Sequence, residues 1–266
     1  ALMFWVDPAI PKNQGLYRLF KKIYAPKGTI LNPNFPAPVG GCTCDSGGLI
    51  LDIMLGALTK ATPERGLAGW THASVGPTFY GVNPETGKMF ILSILDGLAT
   101  GGGARSYADG WPVARVTSST IGIPNVEIIE QHFPLRYVKR EMVTDAGGDG
   151  RFRGGPGIEV EYEVLAPMEM TVMGLRRRHP CLGAAGGTAG GPHTMYVVSG
   201  CEEKPIPQKA NRVKLNKGDR VRFTTPGGGG FGRPEERDPE MVSNDVLDGY
   251  ISSEKARKVY GLKDIS

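Results

Sequence analysis

The chain has 266 residues, 39 of them Gly and 21 Pro, and is 40% apolar and 22% charged, which supplies a real core within a loop-rich protein. No Gly-X-Y period exists, which excludes collagen, and a formal net charge of +4 with two short basic runs (Lys139-Arg140 and Arg176-Arg177-Arg178) lacks the wide patch of a nucleic-acid binder. No apolar run reaches the roughly 18 residues of a membrane-spanning helix, and no secretory signal pattern is visible, so neither nucleic acid nor membrane is expected as a partner.

From the N-terminus, residues 2–6 read as a short strand, residues 8–15 as a turn-rich connector and residues 16–24 as a short helix or strand. Residues 26–38 hold four prolines and two asparagines, an extended loop laid over a surface. The missing initiator Met and the start within a strand-like run lead us to expect one piece of a split or truncated larger subunit. Residues 49–60 form a helix, opened by Gly47-Gly48 and closed by Pro63 and Gly66. Its Leu49, Ile50, Ile53, Met54, Ala57 and Leu58 make one stripe at helical period, read as a core face and not a partner-binding face. Residues 89–95 (MFILSIL) are a strand that ends at Asp96-Gly97.

Two glycine-rich runs stand out: residues 147–157 (GGDGRFRGGPG) and 226–232 (PGGGGFG). Glycine reaches positive φ at no steric cost but loses the most entropy on folding, so such clusters mark obligatory turns or close backbone approaches. The first leads into residues 158–164, where Ile158, Val160, Tyr162 and Val164 alternate with Glu159, Glu161 and Glu163, a half-buried strand with an acidic solvent face. Further strands are expected at 170–175, 195–198 and 220–225, and residues 213–219 run from a strand into a turn at Lys217-Gly218. Asp238-Pro239-Glu240 starts a helix that stops at Gly249, and Ser252 or Ser253 caps another that ends at Gly261. The expected fold class is mixed α+β. It comprises an α/β region over 1–145, read as the second part of a larger catalytic domain, a β-rich domain over 146–234 and a helical tail over 235–266.

The glycine runs are not nucleotide loops. No Gly-Lys-Ser/Thr follows either, and the first precedes a strand instead of opening a helix. Their reading is structural. Of Cys42, Cys44, Cys181 and Cys201, one CxC pair falls short of the two pairs of a zinc site; free thiols in a reducing cytoplasm are expected, with zinc or a disulfide as alternatives. His72, His132, His179 and His193 show no metal-ligand spacing, and His72 and His179 are the two to follow. GxSxG is absent, and no catalytic residue is assigned. The candidate substrate-binding loop is Gly101, Gly102, Gly103, Arg105 and Asp109. There the glycines admit close approach, Arg105 clamps a carboxylate and Asp109 orients it; a purely structural loop is the competing reading.

Taken in order, several segments resemble the C-terminal part of the B (alpha-type) subunit of the hydantoinase / 5-oxoprolinase / acetone carboxylase family. They are Val6-Asp7-Pro8, Leu31-Asn32-Pro33, Gly101 to Ala104 with Asp109-Gly110, Pro124 to Glu127 leading to Phe133-Pro134-Leu135, the GGDGRFRGGPG run, Arg176-Arg177-Arg178, Gly183 to Gly187, PGGGGFG and Asp245 to Gly249. Cys42 to Asp45 departs from the expected pattern. The resemblance implies an ATP-binding, actin-like A-type partner carrying ATP and Mg, which activates a small cyclic amide or ketone by phosphorylation. It places a divalent metal in the N-terminal half of the B-type subunit and none in this chain. The leading expectation is a cytoplasmic, ATP-dependent cyclic-amide hydrolase, incomplete without its partners. A ketone carboxylase, or a non-catalytic lobe that docks the ATP-binding partner, are the alternatives.

Overall fold

The computed structural model describes residues 23–40, 46–71, 76–115 and 122–262, together with Trp5, Asp7, Ala9, Gly15 and Arg18. The strand expected over 2–6, Cys42, Cys44 and His72 fall outside the described residues, apart from Trp5.

Two antiparallel sheets carry the core. The first orders Lys209–Leu215 (β10), Met168–Met173 (β7), Gly76–Val82 (β1) and Met89–Ser93 (β2). The second orders Leu135–Met142 (β5), Ile158–Val164 (β6), Arg220–Thr224 (β11), Thr194–Ser199 (β8) and Glu202–Pro205 (β9). Ala99–Thr100 (β3) and Ala114–Arg115 (β4) pair separately. Both large sheets draw strands from either side of residue 145. Strand pairing thus runs across the boundary expected there from the order of elements.

The strand expected at 158–164 is β6, and its burial alternates at every residue. Its inward residues join Phe79, Met170, Val172 and Phe223 in one core cluster between the sheets, with the Phe79 and Tyr162 rings edge to face at 5.9 Å. Burying one such side chain contributes roughly 1.5–3 kcal/mol. The outward glutamates are half-buried, and each meets a cation on a neighbouring strand: Glu159 with Lys139, Glu161 with Arg220 and Glu163 with Arg136. Glu163 and Arg136 sit directly across the ladder and the other two pairs are diagonal, and opposite charges at such positions stabilise the pairing. One carboxylate is buried within the core region: Asp96 accepts from the Tyr137 and Tyr162 hydroxyls at 2.7 and 2.8 Å and faces Arg140 Nε at 2.8 Å. Burial, and then the Asp96 charge, raise the Tyr162 phenol well above its ordinary pKa.

The tail folds as read. Asp238 caps Pro239–Leu247 by accepting from the Glu240 amide, and Ser252 caps Ser253–Lys258 by accepting from Lys255 N. Gly249 and Gly261 have φ of 75° and 70°. Val242, Ile251 and Ala256 form the hairpin's small core. Lys255 Nζ pins the hairpin to Asp149 at 2.7 Å.

Helix Gly48–Ala61 (α1) corrects an expectation. Its anchor is polar. Asp52 accepts from Trp70 N at 3.0 Å, and the buried Thr59 hydroxyl bonds both the amide and the carbonyl of Leu67. The apolar stripe does not enter a described core cluster; Ile50, Ile53 and Met54 are 38%, 69% and 40% exposed. Periodicity reports that a face is apolar, and it does not report what covers that face.

Candidate functional site

The glycine runs converge into one web. Along residues 227–232 successive amides donate in three directions: Gly227 to Gly191, Gly228 to Gly155, Gly229 to Gly69, Gly230 to Thr188, Phe231 to Phe152 and Gly232 to Ala184. In two of the three directions the donor returns after three residues to the same neighbouring run, with the acceptor also stepped by three, from 191 to 188 and from 155 to 152; the third passes from Gly69 to Ala184. A strand alternates between two sides; period three belongs to an extended helix of polyproline type, which has no internal hydrogen bonds and takes its partners from neighbours. The spacing is so close that a Cβ on Gly228 would lie 1.9 Å from the Gly102 carbonyl oxygen, and one on Gly227 1.8 Å from that of Ala146. The glycines therefore act mainly by close backbone approach. The turn reading holds at Gly232, whose φ is 75°.

Gly101, Gly102 and Gly103 belong to this web. The amides of Gly101 and Gly102 donate to Pro226 and Trp111 carbonyls, and a Cβ on Gly103 would sit 2.1 Å from the Ala68 oxygen. Asp109 is engaged as well. It accepts from Arg153 N and takes both guanidinium nitrogens of Arg237 at 2.8 Å. Arg237 also reaches Asp245 at 2.6 Å, and Arg153 Nε reaches the other oxygen of Asp245 at 2.7 Å. Of the five candidates, Arg105 is half-buried and its guanidinium lies over aromatic rings. Its guanidinium lies 4.4 Å from the Trp111 ring centre and 5.7 Å from that of Tyr107, and both rings are exposed.

Arg105 pairs in the backbone with Leu67, and Leu67 lines a cavity of about 910 Å³. The size is that of a small-molecule site. One wall is the face of α1 that carries Asp52, Ile53, Ala57 and Lys60; the other is residues 176–185. The floor is apolar, with Leu67 and Leu182 opposite Ile53, and Arg176, Arg178, His179 and Lys60 bring cationic groups. The two walls are tied together by Arg176 Nη2, which lies 2.6 Å from Asp52 Oδ2 and 3.1 Å from the Trp70 carbonyl. The sequence reading flags His179 and the three arginines, and it misses Asp52 and Lys60. Their signal is an acid and a base eight residues apart on a helix whose other face is apolar.

Two buried groups stand behind this wall. Cys181 is fully buried beside Thr71, with Sγ to Oγ1 at 3.0 Å; burial pushes its thiol up to about 11, partly offset by Arg176. A thiol so held is inert. His193 donates from Nδ1 to the Thr224 carbonyl at 2.7 Å, and burial lowers its pKa to about 4. Among the described residues no three His, Cys, Asp or Glu side chains converge on a metal position. Nor is any described helix long and apolar enough to cross a membrane.

The family described as hydantoinase B/oxoprolinase matches residues 1–234. The chain is 34% identical, over 98% of its length, to the caprolactamase beta subunit of Pseudomonas jessenii. It is 32% identical, over 95% of its length, to the B-type subunit of a putative D-/L-hydantoinase of Pseudomonas sp. (strain NS671). It spans less than half of each, 46% and 42%. The crystal structure of ATP-dependent caprolactamase from Pseudomonas jessenii superposes with a TM-score of 0.85 at 29% identity, covering 99% of this chain and 47% of that one. A nucleotide-free acetone carboxylase structure superposes at a TM-score of 0.62 and 24% identity over 74% of this chain and 30% of that one, a likeness of fold.

Proposed function

The chain belongs to the hydantoinase B/oxoprolinase family, and on that premise we propose that it forms part of the B (alpha-type) subunit of an ATP-dependent cyclic-amide hydrolase. It works with an ATP-binding, actin-like A-type subunit, which carries ATP and Mg, and with the N-terminal half of the B-type subunit, which carries the divalent metal. The cytoplasm is the compartment that suits the free thiols of Cys181 and Cys201. Relatives named caprolactamase and hydantoinase support hydrolysis of a ring amide over carboxylation.

The observation that carries this chain's share is the cavity beside α1. Its apolar floor of Ile53, Leu67 and Leu182 accepts the carbon face of a small ring, while its polar end orients the rest. Arg105, backed by Trp111 and paired with Leu67, is the loop residue we assign to substrate, and Gly101, Gly102, Gly103 and Asp109 hold that loop in place. The test is ATP-dependent ring opening by the assembled complex with a lactam, a hydantoin and 5-oxoproline. We expect one of these to accelerate ATP hydrolysis and Ile53→Asp to raise its KM at least tenfold. Acceleration by none of the three overturns the reading.

A further inference from the structure

We propose that the cationic end of this cavity is a binding site for an oxyanion group, a phosphate or a carboxylate carried by a small molecule, grasped by Lys60, Arg178 and His179 in front of the fixed guanidinium of Arg176. The inference rests on the reading of the cavity as a small-molecule site.

Three consecutive arginines have three different fates. Arg176 is nine-tenths buried and pinned between Asp52 and the Trp70 carbonyl. Arg177 donates from Nη1 to the Ile206 carbonyl at 2.8 Å. Arg178 lines the cavity, exposed, with no partner among the described residues. Lys60, from the last turn of α1, and His179 are in the same condition. Asp52 is the acid of the lining, and both its oxygens are engaged, by Trp70 N and by Arg176. Lys60, Arg176 and Arg178 give +3 against −1 for Asp52, a local excess of +2. Arg176 Nε is buried with no partner among the described residues, so the fixed cation still has a donor unspent.

The backbone supplies an independent sign. Arg176 and Ala185, at either end of the wall, have φ of 66° and 51°, left-handed conformations that a residue with a Cβ rarely adopts. Strain of this kind persists where the surroundings over-determine it, and it gathers at ligand clamps. Here Gln208, with its carboxamide oxygen turned to the amides of Arg176 and Arg177, accepts at 3.3 and 2.7 Å, while the Arg176 carbonyl accepts from His193 N. The strained turn aims successive side chains in different directions, Arg176 to Asp52, Arg177 to the Ile206 carbonyl and Arg178 into the cavity. A cavity of about 910 Å³ is too large for a bare ion, so the oxyanion is one end of a larger molecule.

The test is titration calorimetry of the assembled complex with inorganic phosphate and, separately, with acetate, at low salt. We expect one saturable site per chain for at least one probe, weakened tenfold or more in the Lys60→Ala/Arg178→Ala double variant and by added salt. Both residues are exposed, so circular dichroism should show the variant folded. Tighter phosphate identifies a phosphoryl group, and tighter acetate a carboxylate. If neither probe binds, or if the double variant binds as the parent does, the inference is overturned. Ring opening without oxyanion binding removes this inference and leaves the hydrolase reading standing; oxyanion binding without ring opening does the reverse.

Discussion

Arg237 and Asp109, 128 residues apart, meet through two parallel hydrogen bonds, Nη1 to Oδ1 and Nη2 to Oδ2, both of 2.8 Å. The same guanidinium holds Asp245, and its side chain is 1% exposed. Removing one partner of a buried pair leaves a charge without compensation, at a cost of about 3–5 kcal/mol. Arg237→Ala should lower the unfolding free energy by roughly that amount, and Arg237→Lys should recover little of it, because an ammonium cannot form the planar fork. Denaturant titration reads the loss; a change below about 1 kcal/mol would contradict the role given to this pair.

The web predicts a sharp contrast between glycines. Gly228→Ala places a methyl 1.9 Å from the Gly102 oxygen, against backbone that cannot retreat without breaking neighbouring bonds. We expect no folded protein in the soluble fraction. Gly56 sits within α1 with nothing within 4 Å of its Cβ position. Gly56→Ala should stabilise the protein by roughly 0.5–1 kcal/mol, the difference in helix propensity. Equal effects at the two positions would remove the close-approach account.

His193 sets a pH dependence. Its pKa falls to about 4 in the folded protein against an ordinary 6.5, chiefly through burial, so between those values the unfolded chain binds the extra proton. Stability from this group is complete above pH 6.5 and is lost as pH falls towards 4, on the order of 3 kcal/mol in all. Urea unfolding between pH 4 and 7 should show this slope, and His193→Gln should flatten it. An unchanged slope in the variant would assign the effect to other groups.

Arg105 separates a site loop from a merely structural one. The cation stacks on exposed rings, where such contacts are worth about 0.5–1 kcal/mol, so Arg105→Ala should leave the melting temperature nearly unchanged. In the assembled complex we expect kcat/KM to fall at least tenfold. Unaltered turnover would return the whole 101–109 loop to a scaffolding role.

The strand at 158–164 is legible because a half-buried strand writes its burial into alternate residues, and the tail because caps and terminal glycines are local chemistry. Gly76–Val82 escapes notice because a Pro and two glycines interrupt its alternation, and Leu135–Met142 because its outward positions hold the cations that neutralise strand 158–164. The web is illegible for a physical reason: period-three bonding among glycines leaves no polar or apolar rhythm, so only the number of separate runs betrays it. The cavity is harder still, since Asp52 and Arg176 meet across 124 residues and no local pattern encodes that. Asp109 illustrates the limit within a motif, where the sequence displays a carboxylate but not the arginine that occupies it.

We propose that the assembled complex hydrolyses a cyclic amide at the expense of ATP. The most direct test follows ATP turnover and product formation by the assembled complex, with a cyclic amide, in the presence and absence of bicarbonate. The account predicts a ring-opened amino acid formed in step with ATP hydrolysis and indifferent to bicarbonate. ATP turnover that requires bicarbonate and yields a carboxylated ketone would contradict it.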